Sequence, residues 1–166
     1  TQLRSDASQG DVVWHCIGPI QSNKTRLVAE HFDWAHTVDR FKIAQRLNDQ
    51  RPAHIDPLQV CIQVNTDGGS TKSGVAPQEV LALATEIAKL PRLHLRGLMT
   101  IPDPVEGFDA QVQIHHQARV CFERLGRDLG LPHWDTLSMG MSADLEAAIH
   151  AGSTLVRVGT AIFGRR

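Results

Sequence analysis

The sequence has no excess of charge of either sign. Its 17 basic and 18 acidic side chains leave a formal net charge of -1 over 166 residues. Nucleic-acid binding needs clustered positive charge, so this balance argues against a nucleic-acid partner. No apolar run approaches the length of a membrane span, and we expect no contact with a membrane. The stretch 1–10 is polar and mixed in charge, so we expect no signal peptide.

Cysteine is scarce, and its spacing predicts neither disulfides nor a metal site. Cys16, Cys61 and Cys121 each lie in an apolar stretch, which is typical of small buried side chains. An odd number of thiols without paired spacing indicates a reducing compartment, so we expect a cytoplasmic location.

Familiar catalytic motifs are also missing. The nine histidines are scattered, no HExxH spacing occurs, and we predict no metal. No nucleophile elbow, Ser-His-Asp order or paired carboxylate stands out, so the residues alone give no positive sign of a catalytic group.

Apolar runs alternate with amphipathic runs along the whole chain. Alternating polarity and turn residues predict six strands, namely Val12–Gly18, Trp34–Val38, Leu58–Asn65, Leu93–Ile101, Asp135–Met141 and Thr154–Val158. Five helices are predicted between them. They are a helix capped by Ser22 and running to Phe32, one capped by Asp39, one from Pro77 to Leu90, one from Asp109 to Leu129, and one opened by Ser142 and running to His150. We expect one domain over residues 1–166.

Strict alternation of strands and helices predicts a parallel sheet, and two architectures fit it. One is an open doubly wound sheet and the other is part of a (β/α)8 barrel of the TIM type. Gln59, Cys61, Gln63 and Asn65 form a polar face on the clearest strand. A doubly wound sheet needs both faces of a central strand apolar, whereas a barrel mouth tolerates polar side chains. The pattern therefore favours a barrel, here with about six of the eight strands.

Small and hydroxyl residues follow the last two predicted strands. Ser142, Gly159 and Thr160 should lie side by side at the carboxyl ends of these strands. Backbone N–H groups and hydroxyls at such a place suit a phosphate group. The alternative is that Gly159 is an ordinary turn glycine and Thr160 an ordinary strand residue; we favour the phosphate site because the features coincide.

Arg157 lies two residues before Gly159, on the strand face opposite its valine neighbours. If the valines face the helices, Arg157 points into the barrel lumen, where a buried guanidinium needs an acceptor. Two roles stay open. Arg157 forms a structural ion pair with a lumen carboxylate, or it is a fixed donor to a ligand's ring nitrogen or anion.

Several long motifs in the right order resemble the YggS/PROSC-type pyridoxal phosphate homeostasis proteins. They are Trp14–Lys24, Lys72–Gly74, Arg96–Met99, Leu137–Ser142 and Val156–Gly164. The resemblance implies a single barrel like that of alanine racemase, binding of pyridoxal 5'-phosphate, and a buffering or delivery role without established catalysis. It also implies that Ser142, Gly159 and Thr160 hold the phosphate and that Arg157 faces the pyridine nitrogen.

The resemblance also implies what this chain lacks. The family's Schiff-base lysine lies on a first strand in a stretch like A-V-S-K, and a second strand carries a motif like G-E-N-Y; neither motif occurs here. We therefore expect a chain without the first two βα units, which retains the phosphate end of the site. A full-length member is expected to be monomeric, whereas the open edges of a shortened barrel invite self-association.

Two enzymatic alternatives remain. A pyridoxal phosphate-dependent racemase or decarboxylase of the same barrel type would need a catalytic lysine and an opposing acid or base. A phosphosugar-binding barrel enzyme would need a carboxylate base at a strand end, for which Asp103 is the nearest candidate.

Overall fold

Strands and helices alternate through the two stretches, residues 12–68 and 73–164, that a computed structural model of the chain describes. The strands are β1 (His15–Cys16), β2 (Trp34–Val38), β3 (Leu58–Gln63), β4 (Leu93–Met99) and β5 (Thr136–Ser138). The helices are α1 (Thr25–His31), α2 (Phe41–Gln50), α3 (Val80–Ile87), α4 (Phe108–Leu129), α5 (Leu145–His150) and α6 (Thr160–Phe163).

The five strands form one parallel sheet whose spatial order is the chain order, β1-β2-β3-β4-β5. A doubly wound sheet reverses its strand order at a switch point, whereas a barrel adds each strand beside the last. The sequential order therefore confirms the barrel-type arrangement. Within the described residues β1 pairs only with β2, so the sheet is a curled, open part of a barrel.

The predicted sixth strand, Thr154–Val158, is wrong as a regular strand. One isolated parallel bridge, between Ser138 and Leu155, joins this segment to β5. The backbone hydrogen bonds shift register at Gly140: the Met139 N–H donates to the Leu155 carbonyl at 3.1 Å, whereas the Arg157 N–H donates to the Gly140 carbonyl at 3.0 Å and not to that of Met139. Side-chain hydroxyls add two contacts. The Ser153 hydroxyl donates to the Met139 carbonyl oxygen at 2.8 Å, and the Thr154 hydroxyl accepts a hydrogen bond from the Leu137 N–H at 2.8 Å. The segment follows β5 without forming a continuous strand.

Three predicted helix caps are also wrong, namely Ser22, Asp39 and Ser142. The helices begin after Lys24, Arg40 and Asp144, and none of these three makes a side-chain capping bond. The predicted caps have other partners. The Asp39 carboxylate accepts from the Arg40 guanidinium at 3.1 Å, and the Ser142 hydroxyl accepts the Ala161 N–H at 3.2 Å. The strands β1 and β5 are also much shorter than predicted.

The two faces of β3 differ as the alternation predicted. Leu58, Val60 and Ile62 are fully buried in the hydrophobic core. On the other face, the Gln59 side-chain oxygen accepts a hydrogen bond from Arg96, and Cys61 is buried outside the main apolar cluster. The polar face therefore lies on the inner side of the curled sheet, and the helices cover the apolar one.

Candidate functional site

A cavity of about 550 Å³ lies where the segments after the strands meet. All four residues predicted for the phosphate and ring site line it, namely Ser142, Arg157, Gly159 and Thr160. The other lining residues are His15, Ile17, Ile101, Met141, Leu155, Val156 and Val158. The structure thus brings together residues from both ends of the chain, while no carboxylate among the described residues lines the cavity.

The short helix α6, which has no signal in the sequence pattern, begins at this cavity. Its first residue is Thr160, and Gly159 directly precedes it. A Cβ built on Gly159 meets no atom within 4 Å, so the space beside this glycine is open. The Ser142 hydroxyl lies 3.2 Å from the Ala161 nitrogen, which ties the segment after β5 to the start of α6. A hydroxyl and the first turn of a helix therefore face one open space.

Arg157 is buried, with 8% of its surface exposed, and it has no carboxylate partner among the described residues. Its Nη1 lies 2.9 Å from both the carbonyl oxygen and the hydroxyl of Ser138, and its Nη2 lies 2.9 Å from the Thr100 carbonyl oxygen. The structural ion pair considered above is thus absent from the described part of the chain. Three of the five guanidinium N–H donors have acceptors there.

Two histidines extend this polar group towards β1. The Nδ1 atom of His36 lies 3.0 Å from the Ser138 hydroxyl, and its Nε2 lies 2.8 Å from Nδ1 of His15. The ring of His15 stacks on Trp34, with centroids 5.3 Å apart and planes 10° from parallel. His36 is fully buried, whereas His15 reaches the cavity wall.

The electrostatics of this group keep the histidines neutral. Burial, together with the nearby His15 and Arg157, lowers the pKa of His36 to about 4. Burial also lowers the pKa of His15, although the carboxylate of Asp33 acts in the opposite direction. Because both rings are uncharged near neutral pH, Arg157 supplies the positive charge at the cavity.

A second polar cluster lies at the other end of the inner face. Arg96 donates to both carboxylate oxygens of Asp135 and to Gln59, and its guanidinium carbon lies 4.9 Å from the Trp34 ring centroid. The hydrogen bonds from Arg96 and Thr136 lower the pKa of Asp135, although burial opposes them. This cluster holds the indole on which His15 stacks.

The described lysines lie away from the cavity. Lys24, Lys42 and Lys89 are exposed, and none of them lines it. Lys72 lies outside the described residues. Asp103, the candidate carboxylate base, lines a neighbouring cavity of about 370 Å³ instead.

Sequence reasoning missed His15, His36, Ser138 and Thr100 as parts of the site. One available signal was the alternation in Trp34–Val38, which places His36 on the same face as Trp34. The Thr100 and Ser138 carbonyls had no signal, because every residue carries one.

Comparison with known proteins identifies the family. The family model described as alanine racemase, N-terminal domain, matches residues 2–166. A pyridoxal phosphate homeostasis protein of Haemophilus influenzae is 54% identical over 160 residues, which are 96% of this chain and 68% of the relative. The chain belongs to the pyridoxal phosphate homeostasis protein family.

Members of the pyridoxal phosphate homeostasis protein family extend beyond the matched region. The relative from Vibrio alginolyticus is 59% identical over 155 residues, which are 93% of this chain and 66% of that protein. The chain thus spans slightly less than two thirds of that relative's length. PipY of Synechococcus elongatus, solved with pyridoxal phosphate bound, superposes with a TM-score of 0.84 at 32% identity, covering 95% of this chain and 73% of PipY.

No helix in residues 12–68 and 73–164 has the length and hydropathy that crossing a membrane requires.

Proposed function

We propose that this chain binds pyridoxal 5'-phosphate as part of a carrier that buffers and delivers the cofactor and catalyses no reaction. The observation that carries the proposal is that Ser142, Arg157, Gly159 and Thr160 line one and the same cavity. The chain also belongs to the pyridoxal phosphate homeostasis protein family. The bound cofactor in PipY supports the same assignment.

The donor set suits a phosphate ester of an aromatic ring. A volume of about 550 Å³ lies in the ordinary range for small-ligand sites, roughly 300–1,000 Å³. The Ser142 hydroxyl and the backbone N–H groups of Gly159 and Thr160 would hold the phosphate. No carboxylate among the described lining residues would repel it.

Arg157 would face the ring nitrogen. When bound, the cofactor supplies a reactive aldehyde carbon and an electron-withdrawing pyridine ring. Because a guanidinium stays protonated and only donates, it keeps the ring nitrogen unprotonated and weakens that electron withdrawal. The hydrogen bonds to Ser138 and Thr100 hold the guanidinium in place. This arrangement fits a carrier better than a racemase or decarboxylase.

Location and partners belong to the same proposal. We place the protein in the cytoplasm, since all three cysteines are free thiols. The balanced charge supports a small-molecule partner, pyridoxal phosphate or free phosphate, rather than a nucleic acid. We propose that the full-length protein is a monomer.

The phosphate contact can be tested with a charge change at Thr160. The Thr160→Glu variant should weaken pyridoxal phosphate binding at least tenfold, because a carboxylate would face the phosphate dianion. Thr160→Gln has the same bulk without the charge and should lose much less. Thr85→Glu, on the exposed surface of α3, is the matched control and should bind like the unmodified chain. Equilibrium dialysis measures all four affinities.

Two outcomes would contradict the proposal. Unchanged affinity in Thr160→Glu would place the phosphate elsewhere, and no binding by the unmodified chain at millimolar cofactor would remove the carrier function. For the absence of catalysis, the measurement is release of product from L- and D-amino acids with the cofactor present. Turnover above the free-cofactor rate would overturn it.

A further inference from the structure

The hydrogen bonds from Arg157 to His15 form one continuous chain. They join Arg157 to the Ser138 hydroxyl, this hydroxyl to His36, and His36 to His15, with heavy-atom distances of 2.8–3.0 Å. Arg157, Ser138 and His36 are buried, and the two ends of the series, Arg157 and His15, line the cavity. The order of donors along such a chain decides what His15 offers to a ligand.

Arg157 fixes that order, because a guanidinium can donate but cannot accept. The Ser138 hydroxyl therefore accepts from Arg157. Its own proton must go to Nδ1 of His36, the other side chain within hydrogen-bond distance. With Nδ1 accepting, a neutral His36 carries its proton on Nε2 and donates to Nδ1 of His15. A neutral His15 then carries its proton on Nε2.

The opposite order leaves a buried group unsatisfied. If Nδ1 of His36 donated to Ser138, the hydroxyl would accept twice, and its proton would have no acceptor among the described residues. Ser138 is fully buried, so an unsatisfied hydroxyl proton there would carry the desolvation penalty of a buried polar group. The lowered pKa values of both histidines also disfavour a charged ring that could donate at both nitrogens.

Packing holds the His15 ring in one orientation. It stacks on Trp34, and the Arg96 guanidinium carbon lies 4.9 Å from the centroid of the Trp34 ring. Since Nδ1 is occupied by His36, Nε2 is the polar atom of His15 that remains for a ligand. His15 and Arg157 line the same cavity, so both reach a ligand that fills it.

We propose that His15 contacts the cofactor and that its Nε2–H donates to an acceptor oxygen of the bound ring. The hydrogen bonds that run from Arg157 through Ser138 and His36 fix this tautomer of His15. The inference rests on the proposed function for the ligand's identity. The oxygen is of the phenolate class, which pyridoxal phosphate carries on its ring.

The contact can be tested with two substitutions of equal length. Gln keeps an N–H donor close to the position of Nε2, whereas Met has the same length and no donor, and both lose the stacked ring. His15→Met should weaken binding of pyridoxal phosphate about tenfold, as expected for a hydrogen bond to a charged acceptor. His15→Gln should stay within about threefold of the unmodified chain. His116→Met, at an exposed position of α4, is the control.

The pattern of affinities decides the contact. If the His15→Met and His15→Gln variants bind the cofactor with equal affinity, whether normal or weakened, the proposed hydrogen bond is wrong. A purely structural role of His15 would affect both variants alike. Absence of binding by the unmodified chain would remove the proposed function and the contact together.

The tautomer has a separate measurement that needs no ligand. Nitrogen-15 chemical shifts of the histidine rings, assigned with His15→Gln and His36→Gln, should show both rings neutral with the proton on Nε2 at pH 7. A proton on Nδ1 of either ring would overturn the proposed order even if the cofactor binds. If the tautomers are as predicted but the chain does not bind the cofactor, the proposed function is wrong and the proposed order of donors stands.

Discussion

Gly97 lies directly against the backbone of Thr136. A Cβ built on Gly97 would sit 1.9 Å from the Thr136 carbonyl oxygen and 2.9 Å from the Phe122 ring. The sheet register explains this approach. Val60 pairs with Leu95 and Cys61 pairs with Gly97, so Arg96 is the extra residue of a bulge. The glycine, at φ +153°, lets the chain bulge so that Arg96 reaches Asp135 on β5.

We expect Gly97→Ala to be severely destabilising. A methyl group cannot be placed 1.9 Å from a backbone oxygen, so β4 or β5 must move, and the loss should be at least about 3 kcal/mol of unfolding free energy or complete loss of folding. Urea denaturation followed by circular dichroism measures it. Gly18→Ala is the control, since a Cβ there meets nothing within 4 Å, and should change stability by less than about 1 kcal/mol. Equal stability of the two variants would contradict the close approach.

The buried His36 predicts a stability that falls in weak acid. Its pKa is about 4 in the folded chain and about 6.5 when unfolded. The unfolded state therefore binds the proton first. The stability contributed by neutral His36 is fully present above pH 6.5 and is lost as the pH falls towards 4. Between pH 7.5 and 4.5 we expect a loss of about 2 kcal/mol from this group.

His36→Gln identifies the source of this pH dependence. The variant should be less stable at pH 7.5, because it loses part of the hydrogen-bond series that leads from Arg157 to His15. Its stability should nevertheless fall less between pH 7.5 and 4.5. The exposed His116→Gln should keep the slope of the unmodified chain. Urea unfolding at intermediate pH values measures all three slopes. An unchanged slope in His36→Gln would assign the pH dependence to other groups.

Cys61 should be inert while the chain is folded. Burial raises the pKa of its thiol to about 12, and the side chain is fully buried. Thiolate is the reactive form, so at pH 8 we expect labelling by a disulfide reagent to be roughly a thousandfold slower than in the unfolded chain. A variant with Cys16→Ser and Cys121→Ser isolates this thiol. Labelling of the folded variant at the rate of its urea-unfolded form would show that Cys61 is accessible.

The sequence predicted the features that depend on local pattern. The alternation in Leu58–Asn65 predicted the polar inner face correctly because side-chain direction along a strand is a local property. The grouping of Ser142 with Gly159 followed from parallel topology. The partners of Arg157 could not be predicted, since two are backbone carbonyls and the third is the Ser138 hydroxyl, all brought close by the fold. The same holds for Thr154–Val158, where a shift of hydrogen-bond register at Gly140 interrupts the ladder that β propensity alone would have favoured.

The position of the lysines predicts the outcome of covalent trapping. A stable bond between the cofactor and an enzyme amine needs a lysine held at the aldehyde carbon and partly deprotonated by its surroundings. Lys24, Lys42 and Lys89 are exposed, and no lysine of the described residues lines the cavity. We therefore expect that this chain, mixed with pyridoxal phosphate and reduced with borohydride, gives scattered substoichiometric labelling in peptide mass spectrometry. Stoichiometric labelling of Lys24 or Lys72 in the 166-residue chain would show that one of these two lysines serves as the covalent anchor.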